Sequence, residues 1–113
     1  GSTFGGNPIA CAGAEYVLDT VNNEQFLSEV ARKGEIMKNA IKDFKNVKSV
    51  RGLGMMIGIE VEGKIGADVV KRCIEKGLIV LSAKTLVRLL PPLNITDEQI
   101  LDGLEILKSV IEE

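Results

Sequence analysis

Between residues 24 and 45 the apolar positions Phe26, Val30, Met37, Ile41 and Phe44 recur at spacings of four, seven, four and three. That places them on one face of a helix. Lys33, Lys38, Lys42 and Lys45 fall mainly elsewhere, as a solvated side requires. The period changes after residue 46. From Met55 onward, Met55, Ile57, Ile59 and Val61 alternate with Met56, Gly58, Glu60 and Glu62. This is a strand with one buried face and one smaller, more polar face. Gly58 on that second face leaves room for something to approach closely. Residues 47–51 form the strand before it, with Gly52-Leu53-Gly54 leading from one to the other.

The remaining elements carry their own punctuation. Asn7-Pro8 reads as an N-cap followed by proline at the first helical position, opening a helix that runs to about residue 21. Ala10, Ala12, Gly13 and Ala14 keep its first turns slim, and Leu18 and Val21 carry its apolar face onward. A helix over about 67–76 is stopped by Gly77 at C′. Residues 78–81 read as a short buried strand, 82–85 as a turn, and 86–90 as a strand that Pro91-Pro92 ends. Thr96-Asp97-Glu98-Gln99 is a capping box, and Ile100, Leu104, Leu107 and Ile111 are the core stripe of the helix it opens. The order predicts an α+β fold, a two-layer sandwich whose small, mostly antiparallel sheet of about four strands is covered by helices on one face.

Composition narrows the chemistry. With 113 residues the chain fits one domain, and 45% apolar residues can build a core for it. Its 14 basic and 16 acidic residues are spread throughout, without a basic block or stripe, so nucleic acid is not an expected partner. No apolar run approaches the length of a membrane span and no signal peptide is visible. Cys11 and Cys73 form no CxxC pattern and read as two buried thiols rather than a disulfide, which suits a reducing, cytoplasmic setting. The absence of histidine argues against a zinc site and against the usual proton shuttle at neutral pH.

Several residues invite functional readings. Gly52-Leu53-Gly54 is not a dinucleotide fingerprint, because position 57 is Ile and a strand follows. Glu60 and Glu62 read as charges on the wet side of a strand, and Lys64 and Lys84 as turn residues without apolar surroundings to depress a pKa. Arg88 differs, since Leu86, Val87, Leu89 and Leu90 surround it in a strand otherwise free of charge. A guanidinium there calls for a carboxylate, either a ligand's or that of a structural ion pair, unless it faces water at an edge. Ser2 and Thr3, with the diglycine Gly5-Gly6, precede the first helix and present hydroxyls and backbone N–H groups where an anion such as phosphate binds. Simple turn hydroxyls are the alternative.

Three stretches together carry a resemblance. The segment from Gly1-Ser2-Thr3-Phe4-Gly5-Gly6-Asn7-Pro8 to Cys11 resembles the G-S-T-F/Y-G-G-N-P segment of the class III pyridoxal-phosphate aminotransferases. Arg51-Gly52-Leu53-Gly54-Met55-Met56-Ile57-Gly58-Ile59-Glu60 is similar to that family's R-G-x-G element. Arg88-Leu89-Leu90-Pro91-Pro92-Leu93 resembles its R-L/F-x-P-P/S-L strand end. The wording is nearest the acetylornithine subgroup, with the ornithine and succinylornithine subgroups nearby, and implies transfer of an amino group from N-acetylornithine to 2-oxoglutarate in arginine biosynthesis. The resemblance implies that residues 1–22 are the phosphate-binding motif and connecting helix from the end of the large domain, and that residues 23–113 are the C-terminal small domain. It implies a homodimer in which Thr3 binds the phosphate of pyridoxal 5'-phosphate in the neighbouring subunit, while Ser2 lines the substrate site. Arg88 pairs with a substrate carboxylate or with a large-domain Glu. The imine-forming Lys of the family lies upstream of these residues, so the chain is expected to be a piece of a larger enzyme, with no catalytic residue of its own and inactive alone. The competing expectation is a stand-alone α+β interaction module.

Overall fold

Asn7 opens the first helix by accepting, through its side chain, the N–H of Ala10 at 2.9 Å, with Pro8 behind it. The structure, a computed structural model, describes residues 1–113. In chain order the elements are α1 (Pro8–Val21), α2 (Glu24–Lys42), β1 (Val47–Leu53), β2 (Met56–Val61), α3 (Gly66–Glu75), β3 (Leu81–Ala83), β4 (Leu86–Leu89) and α4 (Asp97–Ile111). The four strands form one antiparallel sheet in the order β1-β2-β4-β3. Helices α2, α3 and α4 cover one face of it, giving the α+β sandwich that the sequence predicts.

Alternation along β2 decides which face is covered. Ile57, Ile59 and Val61 are buried together with Met55, and their cross-strand partners Val87 and Leu89 on β4 are buried with them. Met37 and Ile41 of α2, Val69 and Cys73 of α3, and Ile100, Leu104, Leu107, Val110 and Ile111 of α4 close that core from above. The opposite face, made by Met56, Gly58 and Glu60 of β2 and their neighbours, has no layer over it.

The structure corrects several sequence readings. Residues 78–81 are not a strand; only Leu81 belongs to one, and β3 runs on to Ala83. The apolar run instead finishes α3. Leu78 donates its N–H to the Cys73 carbonyl at 2.8 Å around Gly77, which has φ +87°, the hydrophobic closure of a helix C-terminus. The hairpin turn is consequently shorter, Lys84-Thr85 alone, with Lys84 at φ +58°. Strand β1 likewise continues through Gly52 to Leu53, so that Gly54-Met55 is the two-residue loop. Cysteine pairing is absent, but only Cys73 is buried; Cys11 is exposed, because α1 buries none of its residues. Lys64 is also more than a solvated turn residue, as its ammonium donates to the carbonyls of Val110 at 2.8 Å and Ile111 at 3.1 Å, capping α4.

Candidate functional site

The N-terminal turn is assembled from short-range bonds. Gly5 donates its N–H to Ser2 O, and Asn7 donates both backbone N–H and side-chain Nδ2 to Phe4 O, the latter at 2.8 Å. Gly6 takes φ +77°, which only a glycine adopts cheaply. This geometry leaves a set of donors unspent. The hydroxyl of Thr3 and the backbone N–H groups of Thr3, Phe4, Gly6 and Ile9 have no acceptor in the chain. All stand at the positive end of α1, on exposed residues. Such a cluster suits the phosphate end of a cofactor. Lys64 is spent on α4, and Lys84 sits in the β3–β4 turn.

Arg88 lies mid-strand in β4, opposite Gly58 of β2 and Leu81 of β3. Its neighbours Val87 and Leu89 point into the core, so its own side chain belongs to the uncovered face. Its Nε is sealed from solvent and has no hydrogen-bond partner. No carboxylate of the chain pairs with it. The structural ion pair is therefore not supplied within these residues. The acid on that face, Glu60, is engaged elsewhere. It accepts from Lys48 Nζ at 2.9 Å and Ser49 Oγ at 3.0 Å, and these bonds hold its carboxyl below the ordinary range, with a smaller pull from Arg51. Glu62 is exposed, as the sequence reading has it.

Ser2 and Thr3 share one turn, whereas Arg88 belongs to the sheet; no hydrogen bond links the two places. The residues singled out in the sequence thus lie in two separate places in the fold. Sequence reading misses Arg51, which stands across Gly58 from Arg88. Its position in the R-G-x-G element and its parity with Gly58 were the available signals.

The class-III aminotransferase family model matches residues 1–111. The chain belongs to the class-III aminotransferases. Among curated relatives, the acetylornithine aminotransferase of Haemophilus ducreyi is 48% identical over 100% of this chain and 29% of its own length. The mitochondrial acetylornithine aminotransferase of Saccharomyces cerevisiae is 39% identical over 99% of the chain and 28% of its own. In three dimensions the chain is similar to N-acetylornithine aminotransferase from Stenotrophomonas maltophilia K279a, with a TM-score of 0.86 at 28% identity, over 95% of this chain and 32% of that one. Plasmodium falciparum ornithine delta-aminotransferase gives a TM-score of 0.79 at 35% identity, over 99% and 31%. This class-III aminotransferase chain therefore spans about 29% of the length of the first of these relatives. No helix in it is long and apolar enough to cross a membrane.

Proposed function

We propose that the chain is the small-domain part of a pyridoxal-phosphate-dependent enzyme that moves an amino group from N-acetylornithine to 2-oxoglutarate, as in arginine biosynthesis. The observation that carries this reading is the unpaired guanidinium of Arg88, half-buried on a sheet face that nothing covers, in a chain of this family. A planar donor fork on a strand paired on both sides is suited to take a carboxylate bidentately, and both proposed substrates carry one. That role orients the substrate; a rest-of-protein carboxylate in the same position would make Arg88 a domain fastener instead.

Thr3 supplies the second role. Its hydroxyl and the free N–H groups around it donate to the cofactor phosphate of a neighbouring subunit in a homodimer, and Ser2 lines the substrate side of the same turn. The exposure of the whole segment, and of every residue of α1 save part of Val21, supports a contact with another chain. Pyridoxal phosphate, when bound, supplies the electron sink that makes the amino group transferable. The chain's own residues bind, orient and exclude water; none of them forms the imine, so the 113 residues alone do not transaminate. Two unpaired cysteines support a reducing cytoplasmic location.

The test is an assay of the full-length protein with N-acetylornithine and 2-oxoglutarate, alongside equilibrium dialysis of its cofactor. Glutamate formation is expected, and Thr3→Ala should weaken cofactor retention about 10-fold or more, the cost of a charge-assisted donor. Absence of transfer, or cofactor retention untouched by Thr3→Ala, would contradict the respective assignment.

A further inference from the structure

The uncovered sheet face holds a second unpaired cation in line with Arg88. Across the sheet the register reads Arg51, Gly58, Arg88, Leu81. Arg51 and Arg88 therefore stand two strands apart, about 10 Å between Cα atoms at ordinary strand spacing. Between them is the one residue type with no side chain. The stem of Arg51 leans toward that gap, since its Cγ lies 4.0 Å from where a Cβ on Gly58 would sit; Leu86 Cδ1 bounds the gap from the other side at 3.5 Å. Arg51 is exposed and makes no ion pair, and Glu60 is already held by Lys48 and Ser49.

Folding gives no reason for glycine at this position. A Cβ there would meet its neighbours at ordinary contact distances, and the backbone is not in the left-handed region. Glycine inside a strand costs stability, so a β-branched residue would serve the sheet better. What the missing side chain does provide is an open floor between two guanidinium groups. Two such cations above one floor repel each other until an anion lies between them, and Leu81, Leu86 and Met56 frame the space with apolar surface that strengthens the attraction.

We propose that Arg51 and Arg88 together grip a carboxylate of a short-chain dicarboxylic acid over Gly58, with Arg51 the second anchor and Gly58 the floor that admits the group. The identification of that acid as an amino-group acceptor rests on the function proposed above; the two-arginine row itself does not.

The experiment is calorimetric titration of the full-length protein with glutarate, a non-reacting five-carbon dicarboxylate, with the thermal midpoint of each variant measured in parallel. Loss of one charged donor predicts an affinity for Arg51→Gln that is about 10- to 100-fold weaker, partly restored in Arg51→Lys. Gly58→Val, whose methyl groups fill the floor, should weaken binding comparably while leaving the thermal midpoint unchanged or raised. Glutarate that fails to bind, or that binds Arg51→Gln or Gly58→Val as it binds the wild type, would overturn the proposal. So would Arg51→Gln that lowers the midpoint by several degrees at unchanged affinity, since Arg51 would then be fastening the protein to itself. Binding that depends on Arg51 in a protein without amino-transfer activity would support the row and contradict the proposed reaction.

Discussion

A buried guanidinium nitrogen without an acceptor is expensive to keep, and Arg88 keeps one. Its position depends on how β4 is held, which β2 and β3 do on either side and α3 does from above, where a glycine lets the helix approach the start of the strand. Gly66 begins α3 by donating its N–H to Thr85 O at 3.1 Å, and a Cβ on it would lie 2.5 Å from Leu86 O and 2.7 Å from Leu86 C. Both are backbone atoms at the start of the strand that carries Arg88, so they cannot swing aside as a side-chain tip could. Gly66→Ala should therefore cost about 1–3 kcal/mol, the usual range for overpacking; urea unfolding followed by circular dichroism measures it, and an unchanged midpoint would show that α3 can lift from β4 freely. At this scale the sequence discloses oddities more readily than partners. Arg88 is conspicuous because its strand is otherwise apolar, and the Ser2-Thr3 turn because hydroxyls precede a proline-started helix. Arg51 is inconspicuous until the strand register sets it across Gly58, because parity says which face a side chain takes but not which neighbours share that face.

Element ends are more legible than short strands. Asn7-Pro8, Gly77 and the box at Thr96 each sit where the structure ends or begins a helix, since each satisfies backbone groups that no neighbour in the fold needs to supply. Thr96 Oγ1 accepts from Gln99 N at 3.2 Å while Gln99 Oε1 accepts from Thr96 N at 3.1 Å. Thr96→Ala should cost about 1 kcal/mol, read as a lower denaturation midpoint with an unchanged slope; no change would mean that packing alone fixes the start of α4. The run at residues 78–81 was illegible for a definite reason. Four apolar residues after a glycine satisfy a buried strand and a helix closure equally well, and only the Leu78 to Cys73 bond, which depends on how α3 ends, separates the two. Edge strand β3 then forms where β4 offers a ladder, three residues further than hydrophobicity alone indicates.

The molecule as a whole is built around a core that faces one way. Only 18 of 113 residues are buried, and Phe4, Ile9, Tyr16, Leu53, Ile79 and Leu101 are among the large apolar side chains left exposed. A compact chain of this length has a radius of gyration of about 13 Å; this one has 16.3 Å, with α1 touching little besides α2. Surface of that kind is what a domain presents to the remainder of a larger protein, in keeping with a chain that covers 29% of a relative's length. The two-layer architecture was readable from periodicity because helix and strand periods differ so plainly. The uncovered face was readable only in part, as the polar parity of β2, since its apolar frame comes from strands brought beside it by the fold.

The most direct measurement is steady-state kinetics of amino transfer in the full-length protein carrying Arg88→Gln, with its thermal midpoint as control. A guanidinium that awaits a substrate carboxylate predicts a Michaelis constant for 2-oxoglutarate raised about 10-fold or more, with a midpoint close to that of the wild type. An unchanged Michaelis constant, with or without lost stability, would contradict the assignment of this sheet face to the substrate.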